Sequence, residues 1–324
     1  MMVLGVESSC DETGVAIVKD GKKVLADVVA TSLKLHSCHG GVIPEIASRM
    51  QLESIAGVFA EALKIAKIKP EQIDLISVTT HPGLPGSLIV GVAFAKALAL
   101  SLNRPILGVN HIFGHVYANY LCHEKIKLPA VALVVSGGHT SLFYVKDFSK
   151  FKVLGQTLDD ACGEAFDKVA KIMGLGYPGG PLIEKMAKSG NRHKIKFACS
   201  GMNRELDFSF SGIKTAVLYY LKGKKSGIKM KNDLAASFQE SAFNVLIKKS
   251  LLACKQNSVK QLLIGGGVSA NQELRKKFYV CAKAEGVNCF FPEFNLCMDN
   301  AAMVAGLGGY LYQRGVRSDL YLNV

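Results

Sequence analysis

Apolar runs and polar loops alternate from the start of the chain: Val3 to Val6 is apolar, Glu7 to Thr13 is polar, and Val15 to Val18 is apolar again. That order predicts two strands joined by a polar loop. The pattern returns roughly 128 residues later, where Val131 to Val135 is apolar, Ser136 to Thr140 is a glycine-rich turn and Ser141 to Val145 resumes a strand. Recurrence at that distance predicts an internal duplication, with one domain over residues 1–128 and a second over 129–324. Between the strand pairs, Pro44 to Ile65, Pro85 to Leu102 and Ile112 to Leu121 carry apolar residues three and four apart, the spacing of helices with one buried face. Ile73 to Val78, Ile106 to Val109 and Gln261 to Ile264 read as short buried strands. Strand, crossover helix, strand is the order of an α/β protein with a mixed or parallel sheet.

Composition narrows the class. At 324 residues, 49% hydrophobic and 20% charged, the chain can bury a substantial core, and disorder is not expected. The longest apolar stretch, Leu84 to Leu102, is interrupted by Gly86, Gly91, Lys96 and Ser101, so no membrane span is expected. Met1 to Val6 leads straight into a strand pattern without the features of a signal peptide, and a cytoplasmic location is the expectation. Nine cysteines without a close CxxC pair fit reduced thiols better than a disulfide framework or a zinc knuckle. The formal net charge of +13 is concentrated: Lys185 to Lys231 holds twelve Lys and Arg against only Glu205 and Asp207. Such a stretch fits a nucleic-acid surface, with a solvated face as the alternative. Most of it lies in Gly190 to Met230, expected to be the least regular part of the chain, and a basic insertion on the second domain is expected near 185–231.

Three glycine-rich turns, Ser136 to Thr140, Gly176 to Pro181 and Gly265 to Asn271, are read as following apolar strands. Without a Cβ in the way, backbone N–H groups in such turns can approach phosphate oxygens. None matches a Walker A or dinucleotide fingerprint, but three together favour a nucleotide. His111 and His115, four apart, would project from one face of a helix and can share a metal ion. Residue 112 is Ile, so the pair lacks the glutamate of an HExxH protease. Asp299 is a candidate third ligand, with a helix N-cap as its alternative role. Carboxylates gather as Glu7, Asp11 and Glu12, and again between Asp159 and Asp167.

These motifs together, Glu7-Ser8-Ser9-Cys10-Asp11-Glu12-Thr13, His36 with Gly40 to Glu45, Pro82-Gly83-Leu84, His111 with His115, Ser136 to Thr140, Gly163 to Lys168, Tyr177 to Pro181, Phe208 to Thr215, Gly265 to Asn271 and Asp299-Asn300, strongly resemble the tRNA N6-adenosine threonylcarbamoyltransferase family in its bacterial branch. The resemblance runs in order along essentially the whole chain. It implies an actin-like, Hsp70-like fold of two duplicated domains with a nucleotide cleft between them. It implies transfer of a threonylcarbamoyl group from threonylcarbamoyl-adenylate to N6 of adenosine 37 in tRNAs reading ANN codons, with release of AMP. His111, His115 and Asp299 match the family's metal ligands, usually for iron or zinc. Val134, Val135, Ser136, Gly137, Gly138, Asp167, Gly180, Glu184 and Asn271 match its substrate- and nucleotide-binding positions. Asp11 and Glu12 are candidates to orient the attacking amine or accept its proton. A TsaB-like paralogous dimerisation subunit, a TsaE-like small ATPase and a separate adenylate-forming synthase are the implied partners beside tRNA.

Four positions depart from the family pattern. Glu184 stands where Asp is common, Gln51 where His is frequent, His81 where Gly is usual and Met298 where Thr is common. None is a matched metal ligand. A small-molecule kinase or ATPase of the same fold is the main competing expectation, but it leaves the histidine pair without a task. A metalloprotease is disfavoured by Ile112, and an idle scaffold by the retention of every matched site position.

Overall fold

The computed structural model describes residues 1–197, 204–224 and 227–324, divided into two compact units. The first comprises Met1–Ile126 and Pro292–Val324, the second Lys127–Phe291. The break after 126 falls close to the expected one. The C-terminal segment differs from expectation: residues 292–324 belong with the first unit, not with 129–291.

In the first unit, β1 (Met2–Glu7), β2 (Glu12–Lys19) and β3 (Lys23–Thr31) run antiparallel. After α1 (Leu33–Ser37) and α2 (Pro44–Ala66), β4 (Leu75–His81) joins β1 in parallel. The crossover α3 (Pro85–Leu102) leads to β5 (Ile106–Asn110), parallel to β4, and α4 (His111–Cys122) follows directly. The sheet order is β3-β2-β1-β4-β5. In the second unit β6 (Ala130–Val135), β7 (Thr140–Asp147) and β8 (Lys150–Gln156) are again antiparallel. Four helices follow, α5 (Cys162–Ile172), α6 (Gly179–Ala187), α7 (Ser211–Leu221) and α8 (Ile228–Gln256). Then β9 (Gln261–Gly265), α9 (Gln272–Ala284) and β10 (Asn288–Phe290) complete a sheet of order β10-β9-β6-β7-β8, with β9 parallel to both β6 and β10. Strand for strand, the second sheet repeats the order and directions of the first.

The core of the first unit gathers Leu4, Val6, Val15, Ile17, Ile76 and Val78 from the sheet with Ile55, Val58, Val92 and Ala99 from α2 and α3. The second is built on Val131, Leu133, Leu262 and Ile264 with Phe166, Phe238 and Phe243, whose rings pack 4.8 and 5.6 Å apart about Phe166. The last helix, α10 (Ala301–Gln313), packs on β1, β2 and β4 of the first sheet and against α4. Small residues allow this. A Cβ at Gly5 would land on the Ala301 carbonyl, and one at Gly308 on the Ser77 side chain. Burial of Met303, Val304 and Leu307 supplies about 1.5–3 kcal/mol per side chain, which ties the helix to the first sheet although residues 111–300 intervene.

By length and composition alone Pro85–Leu102 is apolar enough to cross a membrane, with a mean hydropathy of 1.7, a test that a core helix also passes. In the structure Leu88, Gly91, Val92, Ala95 and Ala99 pack inward while Ile89 and Leu100 stay exposed. The described cysteines are free thiols. The stretch expected to be irregular contains α7 and the start of α8; residues 198–203 and 225–226 of the basic segment lie outside the described residues.

Candidate active site

β5 passes into α4 without a loop, and the Asn110 side chain caps the helix by accepting from the Phe113 amide at 3.1 Å. His111 is therefore the first residue of the helix and His115 lies one turn on, their ring centroids 4.7 Å apart. Asp299 comes from the opposite end of the chain, just before α10. It is not the N-cap. Asn300 fills that role, accepting from the Met303 amide at 2.9 Å, which leaves the Asp299 carboxylate to the histidines. Asp299 Oδ1 lies 3.1 Å from His115 Nε2 and 3.5 Å from His111 Nε2. One donor atom from each of the three residues falls within 4.8 Å of the others.

This trio fits a metal ion by a test independent of the resemblance. His115 is fully buried; among the described residues neither ring nitrogen makes a hydrogen bond, and Nε2 meets only the Asp299 carboxylate, as an ion-pair contact at 3.1 Å. A buried polar group in that state costs about 1–3 kcal/mol. Coordination by Nε2 would satisfy it, and two imidazoles with one carboxylate suit a first-row transition ion. His111 Nδ1 points the other way, 3.0 Å from Glu7 Oε2 and 3.1 Å from Ser9 Oγ. Glu7 is itself fixed: its carboxylate accepts from the Ser9 amide at 2.6 Å and the Thr79 hydroxyl at 2.7 Å. A carboxylate behind a ligand histidine sets the tautomer and leaves Nε2 for the metal.

Electrostatics agree with a cation site. Burial alone would lower the His111 pKa, but Glu7 and Asp299 raise it to about 9. Burial alone would raise Glu7, but the His111 charge and the hydrogen bonds from His111 and Ser9 bring its carboxyl below the ordinary range. Burial, then Asp299 and Asp11, push the Glu12 carboxyl up. Crowded acids are relieved by a positive ion, and a bound metal must displace the His111 proton on Nε2. Glu7 was visible in the sequence as one of three acids in the first loop. Its place behind His111 was not.

The predicted nucleotide residues all belong to the second unit. Val134 and Val135 are buried on β6, and Ser136, Gly137 and Gly138 make the turn to β7, closed by Ser136 N donating to His139 O at 2.8 Å. Gly163 opens α5 against this turn, where a Cβ would sit 2.6 Å from the Ser136 oxygen. Gly266, at φ +90°, would place a Cβ 2.5 Å from Val135 O. Gly176 to Pro181 corrects the expectation of a turn after a strand, since it joins α5 to α6. There Asp167 accepts from the Gly179 amide at 2.7 Å. Burial raises the Asp167 pKa despite that bond. Glu184 accepts from Gln272 N at 3.0 Å, and Asn271 caps α9 through Leu274 N at 3.0 Å. These three polar side chains thus serve helix N-termini, and the exposed backbone of Gly137 and Gly138 is what the turns offer an anion.

A duplicated α/β fold with a buried His-His-Asp centre in one unit and glycine turns in the other defines a two-domain, actin-like protein equipped to hold a metal ion. Solved structures of that fold are similar along nearly the whole chain. HypF from T. kodakarensis superposes with a TM-score of 0.65 at 15% identity, over 97% of this chain and 48% of that one. Component A of the Acidaminococcus fermentans (R)-2-hydroxyglutaryl-CoA dehydratase gives 0.58 at 16% identity, over 97% and 98%. The sequence relatives are much nearer. The profile of the family TsaD, tRNA N6-adenosine threonylcarbamoyltransferase, matches residues 23–306. Proteins of that name from Thermosipho africanus and Symbiobacterium thermophilum are 49% and 48% identical, over 98% and 99% of this chain and 97% and 95% of their own lengths. The chain belongs to the tRNA N6-adenosine threonylcarbamoyltransferase family.

Proposed function

We propose that this chain transfers the threonylcarbamoyl group of threonylcarbamoyl-adenylate to N6 of adenosine 37 in tRNAs reading ANN codons, releasing AMP. The observation that carries the reading is the convergence of His111, His115 and Asp299 on one buried point in a member of this family. The three residues would hold iron or zinc, which when bound supplies a Lewis acid for the carbamoyl carbonyl. Glu7 keeps His111 in the tautomer that presents Nε2. Asp11 ends the loop that follows Glu7 and Glu12 opens β2, and one of them orients the attacking amine or takes its proton. The turn at Ser136 to Gly138, with Gly180 and the ends of α6 and α9, would receive the adenylate phosphate on backbone N–H groups, and these donors also stabilise negative charge as it develops.

The partners are those the family resemblance implies, and two surface features fit them. Lys185, Lys188, Arg192, Lys194, Lys196 and Arg204 are exposed and supply a tRNA backbone contact. Reversing several of these charges should reduce the slope of log K against log salt for tRNA binding by about 0.7–0.9 per lost phosphate contact. An unchanged slope would leave the segment as solvated surface. Leu52 on α2 and Ile89 and Leu100 on α3 are exposed apolar side chains that a TsaB-like paralogous subunit would cover. A TsaE-like ATPase and the adenylate-forming synthase complete the cytoplasmic system.

The test is direct. The protein, its partner subunits, unmodified ANN-decoding tRNA, threonine, bicarbonate, ATP and the synthase are incubated, and nucleosides are analysed by mass spectrometry. Threonylcarbamoyladenosine is expected with wild type and not with His111→Ala. Its absence with every partner present and the metal site loaded would turn the assignment toward a small-molecule kinase or ATPase.

A further inference from the structure

Gln51 is fully buried on α2, and its Nε2 faces three backbone carbonyls of the β1–β2 loop: Glu12 O at 2.9 Å, Cys10 O at 3.0 Å and Ser8 O at 3.4 Å. A carboxamide has two N–H groups, so two carbonyls are satisfied and the third shares a donor. Chemistry fixes the orientation, because a flipped amide would aim its oxygen at three others. The cost falls on Oε1, which is buried with no hydrogen-bond partner among the described residues. A side chain that filled space alone would not need that arrangement. The other carbonyls of the loop are tied down as well: Ser9 O accepts from Leu84 N at 2.7 Å, Asp11 O from Ser32 Oγ at 2.9 Å, and Cys10 O also from Ser87 Oγ at 3.0 Å. The backbone that carries Asp11 and Glu12 is thereby held from several sides, and Gln51 is the side chain that grips it at three points.

We propose that Gln51 is a positioning residue for the transfer reaction: its carboxamide pins the Ser8–Glu12 backbone to α2 and fixes where the Asp11 and Glu12 carboxylates stand relative to Asp299. The inference rests on the reading of that loop as part of the reaction site. It concerns geometry, so it predicts an effect on turnover rather than on tRNA affinity.

Three variants test it. Gln51→Leu keeps bulk without a donor, Gln51→Glu keeps shape but turns an oxygen toward the carbonyls, and Gln51→His keeps one ring N–H. In the complete assay, kcat should fall about 10- to 100-fold for the Leu and Glu variants, the scale of a reacting group displaced by about an ångström. KM for tRNA should stay within about twofold of wild type, and the His variant should recover most of the loss. Amide hydrogen exchange over residues 8–13 should quicken in the Leu and Glu variants and stay slow in the His variant. If the Leu variant does not fold, the Glu and His pair decides by the same readings. Unchanged exchange and kcat in the Glu variant would overturn the inference and leave the proposed function standing. Faster exchange with unchanged transfer would overturn it together with the role given to Asp11 and Glu12.

Discussion

The two units repeat one sheet and use it differently. In each, the first strand is joined to the second by four residues, Ser8 to Asp11 after β1 and Ser136 to His139 after β6. In the first unit the connection and its flanks carry Glu7, Asp11 and Glu12, and neighbouring elements tie down its carbonyls. In the second it carries Gly137 and Gly138 and closes on itself. One position in the scaffold therefore supplies side-chain acids in one copy and bare backbone in the other. Carboxylates and imidazoles hold a cation and move protons, whereas exposed amides hold an anion. The two copies of this loop therefore differ in what they present, acids in the first and bare backbone in the second.

The comparison breaks most sharply if the units can be disabled separately. Asp299→Ala should remove one of three donors, release the metal and cut transfer about 1000-fold, the equivalent of roughly 4 kcal/mol of lost electrophilic stabilisation. Metal analysis and a nucleotide-analogue titration on the same sample check it; loss of nucleotide binding along with the metal would contradict the division of labour. The reciprocal change is Gly266→Ala, which puts a Cβ against Val135 O at a φ of +90°. It should cost about 2–3 kcal/mol in urea unfolding and weaken nucleotide binding, with the metal retained.

Smaller effects sharpen the picture of the first unit. Glu7→Gln removes the carboxylate behind His111 and should weaken metal affinity about 10- to 100-fold by competition titration, with the fold intact. An unchanged affinity would reduce Glu7 to packing. The smallest effect concerns Asp27 on β3, whose Oδ1 accepts from Ala302 N at 3.3 Å at the start of α10. Burial raises its pKa from the ordinary 3.8 to about 6. A raised acid favours the folded state while protonated, so its contribution is complete below the unfolded pKa and is lost as pH rises through 6. Asp27→Asn should match wild type in calorimetry near pH 4 and melt roughly 2–4 °C higher at pH 8. An equal difference at both pH values would mean that ionisation of Asp27 is not the cause.

Much of the fold could be read from local pattern. The expected helix at Pro85 to Leu102 matches α3 at both ends, because Pro at the first position and Asn103 in the left-handed conformation after the last mark its limits. The His111 and His115 pair needed only a helix to come together. Three edge strands were not legible: Lys23–Thr31 and Lys150–Gln156 are partly exposed and mix apolar and charged residues without clean alternation, and Asn288–Phe290 is too short to make a pattern. Asp167, Glu184 and Asn271 read as ligand contacts, whereas each side chain also serves a helix N-terminus. Capping partners such as the Gln272 amide are set by packing, not by spacing.

The sequence by itself determined the repeated strand and loop order, the glycine-rich turns, the histidine spacing and the family, because each is encoded within a few residues or in motif order. Only the tertiary structure decided that residues 292–324 return to the first sheet, that Asp299 meets the histidines, that Glu7 stands behind His111 and that Gln51 holds the loop of Asp11 and Glu12. Each of these joins residues tens to hundreds of positions apart. Burial of α10 against Gly5 and its neighbours brings the last ligand into place, and no local propensity encodes which sheet a distant helix will cover.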